Sequence, residues 1–138
     1  MNWKPHIIRL TESEKARAGK IDASFFPPVV ESRLAEWEQK NKIHLPEEIR
    51  SYLLQSEGLE AQRGEAWPVL PLDQWDVLRD ECASATPWVH FGETASHRYL
   101  LSTGHSPSIY RCETFGSNEE FFAATFSRYL ELVFRGEA

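Results

Sequence analysis

Between residues 60 and 81, six carboxylates (Glu60, Glu65, Asp73, Asp76, Asp80 and Glu81) surround two tryptophans, Trp67 and Trp75, with Arg63 and Arg79 as the cations among them. Carboxylates beside large aromatics suit recognition better than bond-making. The charges steer a basic partner and the rings anchor it on contact. Glu60, Glu65, Trp67, Asp73, Trp75, Asp76 and Asp80 are therefore the candidate partner-binding residues. Asp73 and Asp76 also fit a plainer role at the start of a helix, and Trp75 fits a core position.

Other chemistry finds less support. His90, His97 and His105 lie seven and eight residues apart, without the H-x-x-x-H or H-E-x-x-H spacing that aligns zinc ligands on a helix. They read as solvated or core histidines, and no metal site is expected. Ser102 and His105 are close in sequence, but Ser102-Thr103-Gly104-His105 reads as a turn, not as the G-x-S-x-G nucleophile elbow. Glycine-rich phosphate loops are absent from the sequence, and no cofactor is expected. Cys82 and Cys112 are 30 residues apart and form no C-x-x-C pair, so they read as free thiols.

Length and composition set the frame. With 138 residues, 41% of them hydrophobic and 12% aromatic, the chain can bury a core of its own as one domain. Its apolar runs are too short for a membrane span, and its first residues do not resemble a secretory signal. A cytoplasmic location is expected. The formal net charge is −6 and lies entirely in residues 59–138, where six basic residues face twelve acidic ones. Such a surface repels phosphates, which argues against nucleic acid, and it favours a basic protein partner. The simpler account is that the charge keeps the protein soluble.

The elements that must position these residues follow from periodicity and punctuation. Residues 1–27 read as a lead-in packed on the body: Trp3–Leu10 as a short strand or extended arm, then a polar helix capped by Thr11 with Glu14. The main domain spans 28–138. It opens with a helix over about 28–40 through Val30, Leu34 and Trp37. Next comes a compact helix in Leu45-Pro46-Glu47-Glu48-Ile49-Arg50-Ser51-Tyr52-Leu53-Leu54, with Pro46 at its first helical position and Gly58 closing it. Trp67–Leu72 reads as an extended segment placed at a sheet edge by its two prolines. Asp73 caps a short helix to about Cys82. Trp88–Phe91, Tyr99–Ser102 and Ser108–Cys112 read as strands of an antiparallel meander. A last helix, capped by Ser117 with Glu120, carries Phe122, Phe126, Tyr129, Leu130 and Val133.

The order of these pieces resembles the SUKH superfamily. The resemblance rests on the Leu45-Pro46 helix ending near Gly58, on Phe91-Gly92 ahead of Tyr99-Leu100-Leu101, and on Ala124, Phe126, Tyr129 and Leu130 in the final helix. It covers about residues 30 to 134. It implies an α+β fold with a mainly antiparallel or mixed sheet flanked by helices. It also implies a non-enzymatic protein-binding role, in many bacterial members as immunity proteins against toxins that are often nucleases or deaminases. Pro46, Gly58, Phe91, Phe126 and Leu130 would then be structural, and no catalytic residue carries over. The stretch Gly92–His97 departs from the glycine- and aspartate-rich version common in relatives. A structural or signalling adaptor is the alternative role, and a hydrolase built on Ser102 and His105 a third.

Overall fold

The computed structural model describes residues 2–18, 23–61, 66–78, 88–94, 97–103, 108–113 and 119–135, with only the backbone described over 13–18. It is an α+β fold. Among the described residues, four helices and an eight-stranded antiparallel sheet share one core.

Helix α1 spans Trp3–Ala18; the sequence leads one to expect its second half, from Thr11, as a helix, but Trp3–Leu10 as a strand or extended arm. Trp3, Ile7 and Leu10 fall at i, i+4 and i+7, and this helical period wins over the local Ile7-Ile8 pair. Trp3 and Ile7 are buried, while Ile8 is exposed. Thr11 is no N-cap; it lies inside the helix and donates its hydroxyl to the Ile8 carbonyl at 2.8 Å. Pro5 is tolerated because it falls in the first turn.

Strand β1 (Ala23–Phe25) leads to α2 (Glu31–Asn41) and α3 (Glu47–Leu53). Lys42 ends α2 in the left-handed conformation at φ 56°, donating to Gln39, while Ile43 N–H donates to Glu38. This is the six-to-one and five-to-two pattern of a Schellman stop. Glu38 clasps the next helix: its carboxylate accepts from Leu45 N–H at 2.9 Å and from Arg50 Nε at 3.0 Å. Pro46 is the N-cap of α3 rather than its first helical residue. Gly58 does not close α3, which ends at Leu53. Its role is close packing, since a Cβ there would lie 3.2 Å from the Val69 carbonyl oxygen.

Strands β2 (Leu59–Ala61) and β3 (Ala66–Val69) pair with a bulge between them. That bulge explains why β3 is not the edge strand expected from its proline. Pro68 sits in the bulge, where no ladder hydrogen bond is needed, and β3 continues the sheet to β5. A 3₁₀ turn (Leu72–Gln74) and β4 (Asp76–Leu78) stand where a helix from Asp73 is expected. Strands β5 (Trp88–Glu93), β6 (His97–Ser102), β7 (Ile109–Glu113) and β8 (Glu120–Ala123) form the meander. The strand order is β1-β2-β3-β5-β6-β7-β8, with β4 also on β5. Helix α4 spans Phe126–Phe134 and is capped by Thr125, whose hydroxyl accepts from Arg128 N–H at 3.1 Å. It starts later than the sequence suggests, because Phe122 belongs to β8. Ser117 lies outside the described residues.

Strand β5 does not stop at Gly92. A register shift between His90 and Gly92 carries it on to Glu93. The bulge turns both Phe91 and Gly92 toward the helices. A Cβ on Gly92 would meet the Pro68 carbonyl oxygen at 2.4 Å and the Tyr129 hydroxyl at 2.8 Å, so only glycine fits. The Tyr129 hydroxyl donates to that carbonyl at 2.7 Å and ties α4 to β3. One cluster then joins Trp3, Leu34, Tyr52 and Phe126 of the helices to Val89, Phe91, Tyr99, Leu101 and Ile109 of the strands.

Candidate interaction surface

Register assigns the two faces of the sheet, because directly opposed residues on neighbouring strands project to the same side. Val89, Leu101 and Ile109 define the inner face, under the helices. Asp76 opposite His90, His90 opposite Leu100, and Leu100 opposite Tyr110 define the outer face. The β5 bulge brings His90 and Glu93 onto the outer face together, three residues apart.

The candidate residues divide between two places. Asp76 is exposed on β4 and projects from the outer face. Trp67 is half-buried at its rim, opposite Glu93 and stacked on Phe26 with ring centroids 5.6 Å apart. Asp73 is exposed on the 3₁₀ turn and lines a groove of about 320 Å³ with Arg33, Trp37, Lys40, Asn41, Leu72 and Trp75. Trp75 is 7% exposed. Its indole N–H donates to the Leu70 carbonyl at 2.8 Å, and its ring meets Trp37 edge-on at 5.7 Å. Glu60 is half-buried on β2, opposite Ser24. Glu65, Asp80 and Glu81 lie outside the described residues.

The groove is not purely anionic. Arg33 lies on its wall and bridges to Glu57 at 2.8 Å, and Lys40 is exposed beside it. The turn between groove and sheet is well fixed. Gln74 N–H donates to Pro71, Trp75 N–H donates to Leu72, and the indole is pinned from below. Asp73 and Asp76 therefore stand as two exposed carboxylates on a braced corner.

His90 is a buried titratable group of the outer face, 8% exposed. Burial pushes its pKa below the ordinary 6.5; Arg98 adds to the depression, while Glu93, Asp76 and a Gly92 backbone hydrogen bond oppose it. At a pH just under that ordinary value the unfolded chain holds the proton more often than the folded one. Stability is therefore lost as pH falls through about 6.5 toward the depressed value. Urea midpoints measured from about pH 7 down to pH 5 should drop, and His90→Gln should flatten the part of the profile that this group supplies. An unchanged slope in the variant would assign the pH dependence to other groups.

Of the residues tied to the other readings, Ser102 has a structural partner. Ser102 Oγ accepts from Ser108 N–H at 3.2 Å and helps close the β6–β7 connection. His105 and Cys82 lie outside the described residues, while Cys112 is buried as a free thiol. Among the described residues, no three His, Cys, Asp or Glu side chains are grouped closely enough to hold a metal ion. Among them, too, no helix is long and apolar enough to cross a membrane.

Sequence reading missed the outer-face row Trp88, Tyr110 and Phe121, as well as Glu93. The available signal was period-two alternation, with Trp88 and His90 in one strand and Tyr110 and Cys112 in another. The profile of the SMI1 / KNR4 family (SUKH-1) matches residues 28–132, about three-quarters of the chain. No curated protein matches it.

Proposed function

Because the chain belongs to the SMI1 / KNR4 family (SUKH-1), we propose that it is a protein-binding module of the immunity type, acting in the cytoplasm to neutralise a basic toxin domain such as a nuclease or deaminase. The observation that carries this reading is the braced corner of Asp73 and Asp76. Both carboxylates are exposed, and the turn that holds them is pinned by Trp75. A surface that is already rigid loses little entropy on contact. Exposed charge of one sign speeds the encounter with a basic cleft and disfavours wrong partners.

The test takes the product of the open reading frame beside this chain's gene and asks first whether it ends in a toxin domain, which then serves as the binding partner. Asp73→Lys with Asp76→Lys should leave the circular dichroism spectrum and melting temperature nearly unchanged, since both side chains are in solvent. The double variant should slow association about tenfold or more at low salt, with the difference shrinking at high salt. A folded double variant that binds as fast as the parent would remove this corner from the interface. Co-purification of regulatory proteins from the native host, with no toxin among them, would favour the adaptor role instead.

A further inference from the structure

The described helices and the single large core lie on the inner face of the sheet, yet the outer face is also rich in apolar groups. Leu100 and Cys112 are buried there, separate from the main core cluster. Trp88 and Tyr110 meet over this region with ring centroids 4.8 Å apart, and Tyr110 meets Phe121 edge-on at 5.9 Å. The row ends on β8, the terminal strand of the described sheet, where Phe121 is 59% exposed. A phenylalanine held by an aromatic neighbour yet open to solvent has the character of a binding anchor.

The opposite end of the same face is charged. Asp76 and Glu93 project there, with Arg98 as the guanidinium among them. Trp88 Nε1 and Arg98 Nε are buried donors without a hydrogen-bond partner. His90 Nε2 also lacks one, its nearest carboxylate oxygen being that of Glu93 at 3.9 Å. Buried polar atoms are nearly always paired, and three of the five unpaired ones among the described residues lie on this face, the others being on His6 and Tyr99. An incoming chain brings backbone carbonyls that could accept from such donors after small side-chain shifts.

We infer that the outer face of the sheet docks a protein segment with lysine or arginine at one end, over Asp76 and Glu93, and an apolar side chain at the other, on the Trp88–Tyr110–Phe121 row. The inference deepens the protein-binding reading and rests on it. From β4 to β8 the face crosses four inter-strand spacings of about 4.8 Å, roughly 19 Å, a span matched by about six residues of extended chain. A second copy fits less well, because it carries the same net charge of −6 and would bring the same Asp76 and Glu93 face, not a basic end, to this one.

The probe is the synthetic hexapeptide Lys-Lys-Ser-Phe-Ser-Phe, titrated into the full ¹⁵N-labelled chain. The controls are Glu-Glu-Ser-Phe-Ser-Phe and Lys-Lys-Ser-Gly-Ser-Gly. The basic aromatic peptide should shift the Trp88 indole resonance and the β7 and β8 amides at millimolar concentration, and both controls should bind at least several-fold more weakly. Phe121→Ser, at an exposed position that leaves the fold intact, should weaken binding about tenfold. Asp76→Lys should weaken it several-fold. The inference is overturned by no shifts at all, by shifts confined to Arg33, Trp37 and Lys40, by an acidic control that binds equally well, or by a dimer that Phe121→Ser dissolves. Peptide binding at Phe121 without toxin neutralisation would remove the immunity reading and leave the docking face standing. Neutralisation that ignores Phe121→Ser would do the reverse.

Discussion

Gly92→Ala should cost the domain about 3 kcal/mol or more, and chemical denaturation should show it as a large drop in midpoint. Adding one methyl group usually costs little, but here it has nowhere to go. The Cβ would sit 2.4 Å from a backbone oxygen, that of Pro68, and 2.8 Å from the Tyr129 hydroxyl. A backbone atom cannot rotate away as a side chain can. The bulge in β5 must open, or β3 must retreat, and either movement strains the hydrogen bond from Tyr129 to Pro68. Burial holds the Tyr129 hydroxyl well above its ordinary pKa of 10.0, so it remains a neutral donor across the usual pH range. Tyr129→Phe isolates the hydrogen-bond share and should cost about 1–3 kcal/mol, because it leaves a buried carbonyl without that donor. The two changes touch the same atoms, so the double variant should cost less than the two single costs added together. Full additivity would mean that the glycine matters for some reason other than this contact.

Trp3→Ala should be comparably severe, at about 3–5 kcal/mol. Trp3 is 1% exposed although it stands near the start of the chain. Its ring meets Phe126 at 5.1 Å and Tyr52 at 6.2 Å, and its indole N–H donates to Ser51 at 3.2 Å. Its backbone N–H donates to the Gln55 side chain at 2.7 Å. Removing the ring would leave a cavity between α3 and α4 and detach the start of α1 from both. Trp3→Phe keeps much of the volume and should recover roughly half of the loss, leaving the Ser51 contact as the difference. A small effect of Trp3→Ala would show that α1 is a dispensable attachment. A large one would show that the helix, although it precedes the family match at residue 28, completes the core.

Sequence reading ran short at these two positions and succeeded at others. Phe126 and Leu130 were legible as core from their helical spacing and Phe91 from the family resemblance, and all three are buried. The meander was legible from three short apolar runs separated by turn residues. The first half of helix α1 was not, because Ile7 and Ile8 side by side suggest an extended arm. The long-range packing of Trp3 on Tyr52 and Phe126 supplies the helix with its reason to form, and no local pattern reveals it. Helix α4 was placed too early because Ser117 and Glu120 imitate a capping box, whereas Thr125 supplies the cap.

The candidate surface was half legible for a related reason. Charge and aromatic content can be read from residue types, and the acidic character around Asp73 and Asp76 follows from them. Which side of the sheet each residue occupies depends on register. A single extra residue in β5 decides that Glu93 joins His90 and Asp76, and a bulge between Ile109 and Tyr110 decides that Phe121 faces outward while Phe122 packs inward on Tyr99. Bulges have no firm sequence signature, so Glu93 and Phe121 could not be placed in advance, although alternation carried a signal for Trp88 and Tyr110.

The stacking of the described helices on one side of the sheet has a further consequence for how such a scaffold can change over generations. Positions such as Phe121 contribute little to holding the layers together, so substitutions there can accumulate without eroding the architecture. Gly92 and Trp3 have no such freedom. A lineage could exchange the solvent-facing residues of the outer side one by one while inheriting the opposite side intact.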